Sequence, residues 1–294
     1  MNFILDTIKG AVIGIANVIP GVSGGTMAVS MGIYNRLISS ITHLFREFKK
    51  SAATLVPVLL GAAIGIVGFS YAIEYLLANQ PLPTCLTFLG LILGGVPILV
   101  KDMMSGVKKS RSGRVTPLNV LAFLILFAFA IVLPLLQGSD DTLSVLEPSV
   151  GTMILLFFMG IIAAATMVVP GVSGSMILMI LGYYYGVINS ITTFMDGLRA
   201  GDFAVVLSQC KILVPFGIGT VLGIFLISKI IEYLFEKHTV STYAAILGLI
   251  LSSPFGIFYN TGALSRFTVP GFLIGVLLFL AGGFLTWYMG RKHA

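Results

Sequence analysis

Long apolar runs separated by short polar segments dominate the chain and predict membrane-spanning helices. The runs at 55–77, 118–136, 212–235 and 272–289 are close to the about 20 residues that an α-helix needs to cross a bilayer. The composition agrees, because 57% of the residues are hydrophobic and only 10% are charged, whereas soluble domains are about 45–50% apolar. The pattern therefore predicts an all-α polytopic membrane protein.

Two stretches of the chain nearly repeat each other. The segment "NVIPGVSGGTMAVSMGIYNRLISSI" at 17–41 matches "MVVPGVSGSMILMILGYYYGVINSI" at 167–191, an offset of 150 positions. A second match, at an offset of 158 positions, pairs 57–77 with 215–235. We interpret the chain as a tandem duplication, with repeat 1 at 1–138, an external linker at 139–147 and repeat 2 at 148–294.

Charges in the loops predict how the repeats are oriented. The basic loop Lys101–Arg114 and the basic tail at 291–293 are expected in the cytoplasm, and the acidic linker outside. This arrangement requires an even number of crossings around each repeated motif, which favours a re-entrant helix hairpin at each. The predicted architecture is two inverted repeats, whereas a full span in place of each hairpin would give parallel repeats. The hairpins (8–41 and 152–194) are each followed by three spans, at about 52–78, 84–100 and 116–137 in repeat 1 and about 211–235, 243–259 and 270–289 in repeat 2.

The repeated Pro-Gly-Val-Ser-Gly motif puts helix-breaking residues inside apolar segments. Non-helical backbone at membrane depth is tolerated only inside the protein or along a polar cavity. Pro20 and Pro170 are expected to end a short helix, the glycines after Pro20 to permit positive φ and close approach, and Ser23 to cap the next helix. Free N–H groups at the start of that helix would bind an anion. Close packing of helices at small residues is the alternative.

Candidate binding residues lie at the two motif tips and near them. They are Asn17, Pro20, Gly21, Ser23, Gly24, Gly25, Thr26 and Arg36 in repeat 1, and Pro170, Gly171, Ser173, Gly174 and Ser175 in repeat 2. Asn17 and Arg36 have no polar counterpart, since Met167 replaces Asn17 and Gly186 replaces Arg36. Arg36 could guide an anionic headgroup, but we expect it to snorkel to the membrane interface.

Two carboxylates occupy matched positions within spans. Glu74 and Glu232 are candidates for proton coupling, because an ionisable residue inside a membrane is costly and is usually functional. A structural ion pair is an equal alternative, since Lys229 precedes Glu232 by three residues on the same helix face.

The sequence offers little for enzymatic chemistry. The three histidines lie in loops or the tail, and no catalytic-triad, metal-ligand or acidic-cluster spacing is present, so we expect no enzyme activity, metal or cofactor. Cys85 and Cys210 are expected to be isolated buried thiols. The residues behind the net charge of +6 lie in short loops between spans, which argues against nucleic-acid binding.

The phrases "NVIPGVSGGTMA" and "VVPGVSGSMILMILGYY", with the spans between them, resemble the bacterial and archaeal polyprenyl-phosphate transporter family. The resemblance covers essentially the whole chain. It implies translocation of undecaprenyl phosphate, the C55 carrier lipid, across the cytoplasmic membrane to the inner leaflet for cell-envelope synthesis. A small-anion channel or exchanger is the alternative, because opposed helix N-termini also suit small anions. The sequence contains no P-loop, leaves the energy source open, and is compatible with a homo-oligomer.

Overall fold

The computed structural model describes residues 3–17, 22–110, 113–136 and 146–291, apart from the side chains at 70, 71, 290 and 291. These ranges consist of helices joined by turns and short loops, and they contain no strand. The helices are α1 (Phe3–Asn17), α2 (Gly24–Ser30), α3 (Tyr34–Thr42), α4 (Phe48–Asn79), α5 (Pro81–Leu93), α6 (Val96–Lys109), α7 (Pro117–Leu135), α8 (Val150–Val168), α9 (Gly174–Ile180), α10 (Tyr184–Ala200), α11 (Phe203–Lys237), α12 (Thr239–Thr261) and α13 (Val269–Arg291), with a 3-10 turn at Ala263–Arg266. The motif residues Pro20 and Gly21, most of the linker, and the last three tail residues lie outside the described ranges.

Seven helical segments in these ranges are long and apolar enough to cross a membrane, with α5 and α6 counted as one segment from Pro81 to Lys109. Their outward faces carry large apolar side chains, such as Val67 with 76% of its surface exposed and Leu277 with 68%. A water-soluble protein would bury such faces, whereas in a membrane they contact the lipid chains. The chain is therefore a multi-pass membrane protein.

The two repeats have the same order of helices around the motif. In each, a helix that ends before or within the motif is followed by a helix of only seven residues, α2 or α9, and then by a second break. That second break is at Gly32 (φ 69°) and Gly182 (φ 81°), left-handed conformations that favour glycine. Helices α9 and α10 meet there at 109°. The segment after each motif is therefore two helices, which the matched glycines signal in the sequence.

Matched glycines bring long helices into backbone contact in both repeats. A Cβ atom on Gly61 of α4 would overlap the Thr7 carbonyl of α1, and one on Gly219 of α11 would overlap the Phe157 carbonyl of α8. Gly61 and Gly219 are aligned in the second sequence match. Small residues at these positions let the helices approach closely, as is common in membrane proteins.

A second pair of matched glycines joins helices from different repeats. Gly90 on α5 lies against the carbonyl of Phe279 on α13, and Gly248 on α12 lies against the carbonyl of Phe123 on α7. Repeat 1 therefore supplies α5 to the α13 of repeat 2, and repeat 2 supplies α12 to the α7 of repeat 1. We call these two helix pairs the reciprocal contacts.

The chain divides into two compact units that differ from the two repeats. The first unit comprises 1–134, 169–172 and 228–294, and the second comprises 135–168 and 173–227. The reciprocal contacts lie in the first unit, which explains why it takes its helices from both repeats. The second unit has its own apolar cluster of buried side chains, formed by Leu146, Leu156, Val187 and Ile212.

Candidate functional site

The start of α2 is capped by Asn17 rather than by Ser23. Ser23 occupies the N-cap position with an extended backbone (φ −99°, ψ 132°), but its hydroxyl makes no capping hydrogen bond. The Gly24 N–H instead donates to Asn17 Oδ1 at 3.0 Å. The prediction that Ser23 caps this helix is therefore wrong, and the side-chain acceptor at the start of α2 is supplied instead by Asn17 at the end of α1.

The motif glycines Gly24 and Gly174 are required mainly because neighbouring groups pack closely against them, and not because they have a positive φ. Gly24 and Gly25 are helical and are not among the residues with positive φ, which corrects that part of the prediction. A Cβ on Gly24 would come within 2.6 Å of the Asn17 side chain, and one on Gly174 within 2.5 Å of its counterpart Met167. The same crowding at the same place in both repeats explains why glycine occurs at both positions.

The tip of the second motif meets the first turn of α2. The Gly171 N–H donates to Thr26 Oγ1 at 2.6 Å, and both residues belong to the first compact unit. Thr26 is 1% exposed and Pro170 is buried. Gly171 has φ 79°, and a Cβ there would lie 2.8 Å from the Leu249 carbonyl, so this position requires glycine on two counts.

Two backbone donors remain at the start of α2. Within the described residues, the N–H groups of Gly25 and Thr26 have no acceptor, as expected for the first turn of a helix. In the second unit, Ser173 and Ser175 hydrogen-bond to each other through their hydroxyls at 2.9 Å, and Ser173 does not cap α9. Among the described residues, the first motif tip thus has N–H groups without an acceptor, and both tips carry hydroxyl groups.

A buried charged cluster lies near the other end of α1. Asp6 forms an ion pair with Arg36, and the Lys9 ammonium donates to the Met31 carbonyl at 2.8 Å, at the C-terminal end of α2. Asp6 and Lys9 are 1% and 0% exposed. We call Asp6, Lys9 and Arg36 the charged cluster. Arg36 therefore does not snorkel freely, because a buried carboxylate fixes its guanidinium group.

The charged cluster is not fully satisfied and has no counterpart in repeat 2. Asp6 Oδ2 and Arg36 Nε are buried without a hydrogen-bond partner in the described part of the chain. At the 150-residue offset, the counterparts of the cluster are Leu156, Met159 and Gly186. Leu156 is fully buried in an apolar core.

Sequence reasoning missed Asp6 and Lys9, although a signal was present. They are an acid and a base three residues apart in a mostly apolar segment. At the two matching positions, the second repeat has the apolar residues Leu156 and Met159.

The two matched glutamates have different surroundings. Glu74 is exposed, and Glu232 Oε1 lies 3.5 Å from His43 Nδ1. The alternative of an ion pair between Glu232 and Lys229 is not what the described residues show, because the ion-pair partner of Glu232 there is His43. The same ranges contain no three His, Cys, Asp or Glu side chains grouped closely enough to hold a metal ion.

Comparisons with known proteins bear on this arrangement. Residues 13–267 match the family model described as "VCA0040-like: Undecaprenyl phosphate translocase-like". The chain is 32% identical over 295 residues to a polyprenyl-phosphate transporter of Staphylococcus aureus (strain NCTC 8325 / PS 47), covering 99% of this chain and 97% of the relative. It is 30% identical over 268 residues to a polyprenyl-phosphate transporter of Vibrio cholerae serotype O1 (strain ATCC 39315 / El Tor Inaba N16961), covering 86% of this chain and 77% of the relative.

No solved structure matches the chain significantly. The family model covers most of the chain, and both relatives align with most of it at 30% identity or more. The chain therefore belongs to the undecaprenyl phosphate translocase-like family.

Proposed function

We propose that the chain moves undecaprenyl phosphate across the cytoplasmic membrane and returns it to the cytoplasmic leaflet for cell-envelope synthesis. The observation that carries the proposal is the charged cluster inside a membrane protein, where Arg36 pairs with the buried Asp6 carboxylate and the buried Lys9 ammonium donates to the Met31 carbonyl. Such groups are costly in a membrane and serve substrate or ion pathways. The apolar outer faces suit a long isoprenoid tail that stays in lipid, while the anionic phosphate needs a path lined by protein.

We infer that the motif tips contact the phosphate on its way. The N–H groups of Gly25 and Thr26, which have no acceptor among the described residues, lie next to the Thr26 hydroxyl and Gly171 and are donors of the kind that phosphate oxygens accept. The full proposed set is Asn17, Pro20, Gly21, Ser23, Gly24, Gly25, Thr26, Arg36, Pro170, Gly171, Ser173, Gly174 and Ser175. Asn17 and Gly24 act indirectly in this proposal, since they set the start of α2.

Reconstitution into proteoliposomes tests both the proposed lipid transfer and the proposed role of the motif tips. In proteoliposomes with fluorescent undecaprenyl phosphate, the wild-type chain should equalise the accessibility of the lipid between leaflets. Thr26→Val should slow this transfer about tenfold or more, because the hydroxyl that accepts from Gly171 is lost from a buried site. Thr26→Ser keeps the hydroxyl and should retain most of the activity. Chloride flux without lipid transfer would instead establish a small-anion channel.

We also propose that the repeats are inverted and that each motif lies in a re-entrant hairpin. The loop charges support this orientation. The reciprocal contacts support a two-fold relationship between the repeats, because each repeat gives the other an equivalent helix. Inverted repeats of this kind are common among secondary transporters.

Cysteine labelling tests the orientation. In a chain without Cys85 and Cys210, Ser139→Cys should react with a membrane-impermeant maleimide added outside the cell, whereas Lys108→Cys should react only after permeabilisation. Lys108 is exposed in the last turn of α6, so failure to label it would reflect its side of the membrane. Labelling of both from outside would contradict inverted repeats.

We propose that Glu232 couples transfer to protons through its contact with His43, and that Glu74 contributes at the matched position. Glu232→Gln should flatten the pH dependence of lipid transfer while phosphate-dependent lipid binding survives. Glu74→Gln is the matched comparison, because Glu74 is exposed and lacks a histidine partner in the described ranges. Unchanged pH dependence in both variants would assign these residues a structural role.

A further inference from the structure

A polar cavity of about 600 Å³ opens where four helix ends meet in the first compact unit. Helices α6 and α11 end at this cavity, at Lys109 and Lys237, and helices α7 and α12 begin at it. It is separate from the motif tips and from the charged cluster, none of whose residues line it. Its walls are basic and polar, and include Lys109, Arg114, Lys237, His238, Asn119 and Ser241.

The cations around the cavity outnumber the acids. The described lining residues include three cations, Lys109, Arg114 and Lys237. They also include one carboxylate, Asp102, and one histidine, His238. Within the described part of the chain, neither Lys109 nor Lys237 forms an ion pair with an acidic residue of the protein. Among the described lining residues, the two lysines alone exceed the one carboxylate by one positive charge. A phosphate monoester carries about −1.5 to −2 at neutral pH and is attracted by this excess.

The helix that begins at the cavity offers backbone donors as well. Helix α12 is 23 residues long, and no side chain caps its N-terminus at His238. Its first intrahelical N–H donor is Thr242, which bonds to the His238 carbonyl at 2.9 Å, so the N–H groups before it have no helical acceptor. The positive end of the helix dipole adds to the attraction for an anion.

Asn119 fixes the relative position of the two helix starts. Its side-chain oxygen accepts from the Thr116 N–H at 2.7 Å and its amide nitrogen donates to Ser241 Oγ at 2.8 Å. Asn119 is 6% exposed. The start of α7 is thus tied to the start of α12, which keeps the donors of the cavity in a fixed arrangement before any ligand binds.

A second, small cavity lies beside the basic cavity. It has a volume of about 40 Å³, shares the lining residues Asp102 and Tyr243 with the basic cavity, and is also lined by Gly32 at the break between α2 and α3. Asn35 of α3, which lines this second cavity, donates to the Tyr243 hydroxyl at 3.1 Å. The basic cavity is therefore next to the helices that carry the first motif.

The equivalent helix ends in the other repeat, at the α4–α5 turn, do not form a similarly basic site in the described residues. There the α4–α5 turn at Gln80 replaces His238, and the neighbouring cation is Arg266 of the 3-10 turn. Arg266 donates to the Ala78 carbonyl at 2.8 Å, so it satisfies the end of α4. Within the described part of the chain, lysines without an acidic partner line this place and not the related one, which favours a role on one face of the membrane.

We propose that the basic cavity binds a phosphate monoester. The lipid headgroup occupies this cavity when it reaches or leaves the membrane face that carries the basic loop. The identity of the lipid rests on the proposed function, whereas the preference for a phosphate rests on the cavity alone. The same chemistry would recognise a free phosphate ion, so the test compares the two sources.

The test measures binding to the purified full-length chain in detergent with three probes: inorganic phosphate, farnesyl phosphate and farnesol. Farnesyl phosphate should bind, inorganic phosphate should compete with it, and farnesol should not replace it. The Lys109→Gln/Lys237→Gln double variant should weaken binding of both phosphate probes at least tenfold, since each lysine contributes a charge-assisted hydrogen bond. Lys108→Gln is the matched control and should change binding less than twofold, because Lys108 is exposed on the same turn but does not line the cavity.

The outcomes separate this inference from the proposed function. Binding of inorganic phosphate alone would overturn the headgroup assignment and leave a site for free phosphate. Equal binding by the double variant and the wild type, or no phosphate binding at all, would overturn the site. If phosphate binding depends on the two lysines but reconstituted chains move no lipid, the proposed function fails while the site stands.

Discussion

Replacement of Asp6 by asparagine should be among the most destabilising single changes in this chain. The carboxylate is 1% exposed and holds Arg36, with Lys9 three residues away and fully buried. Without it, two cations remain inside the protein with no acidic partner in the cluster. Removal of one partner from a buried ion pair costs about 3–5 kcal/mol. Thermal melting of the purified protein in detergent, and the yield of membrane-inserted protein, should both fall sharply.

An exposed ion pair provides the control for this prediction. Asp196 and Arg199 are 3.6 Å apart and each is more than 70% exposed, so Asp196→Asn should change stability by less than about 1 kcal/mol. Equal melting of the Asp6→Asn and Asp196→Asn variants would show that the buried cluster does not stabilise the fold.

Repeat 2 supplies a design that separates stability from transport. The triple variant Asp6→Leu/Lys9→Met/Arg36→Gly copies the residues found at the equivalent positions of repeat 2. It removes all three charges together, so it should regain much of the stability that Asp6→Asn loses. It should nevertheless transfer little lipid, because the cations proposed to attract the phosphate are gone. A triple variant with wild-type transfer would remove the charged cluster from the mechanism.

Gly61→Leu should prevent folding almost completely. A Cβ at Gly61 would overlap the Thr7 carbonyl, and a backbone carbonyl within a helix cannot rotate away as a side chain can. Overpacking typically costs about 1–3 kcal/mol and occasionally more, and we expect the upper end here because the obstacle is a helix backbone. Size-exclusion profiles in detergent and protease resistance should both show loss of the folded protein.

The same helix carries its own control. Gly68 has open space where a Cβ would be, so Gly68→Leu should leave the folded yield nearly unchanged. Repeat 2 allows the comparison to be repeated with Gly219→Leu and Gly217→Leu, since only the first of these meets a backbone carbonyl. Similar yields for Gly61→Leu and Gly68→Leu would contradict the close helix contact.

The sequence predicts the helical membrane class because long apolar runs have few other solutions in a bilayer. It also reveals the duplication, and with it the matched pairs Gly61/Gly219 and Gly90/Gly248. What the match cannot reveal is the partner of each glycine. Gly61 faces a helix of its own repeat, whereas Gly90 faces a helix of the other repeat, and this choice depends on how the helices pack in three dimensions.

The candidate site was only partly predictable, for a similar reason. The motif indicates where the helix must break, since proline and glycine act on their own backbone. The caps and charge partners are set by residues distant in sequence, as with Asn17 at Gly24 and Asp6 at Arg36. The expected roles of Ser23 and Arg36 were wrong because α1 supplies the observed partners. Asn17 of α1 binds at the start of α2, and Asp6 of α1 pairs with Arg36.

The reciprocal contacts have a consequence for how such a chain can arise and assemble. A single repeat alone would leave the Gly90 face of α5 and the matching face of α7 uncovered, because their partners α13 and α12 belong to the other repeat. Two separate copies of one repeat could cover these faces by exchanging the same helices. The chain thus has the internal interface of a homodimer whose subunits are joined by a linker. Two co-expressed halves, cut within 139–147, should therefore reassemble, whereas either half alone should aggregate.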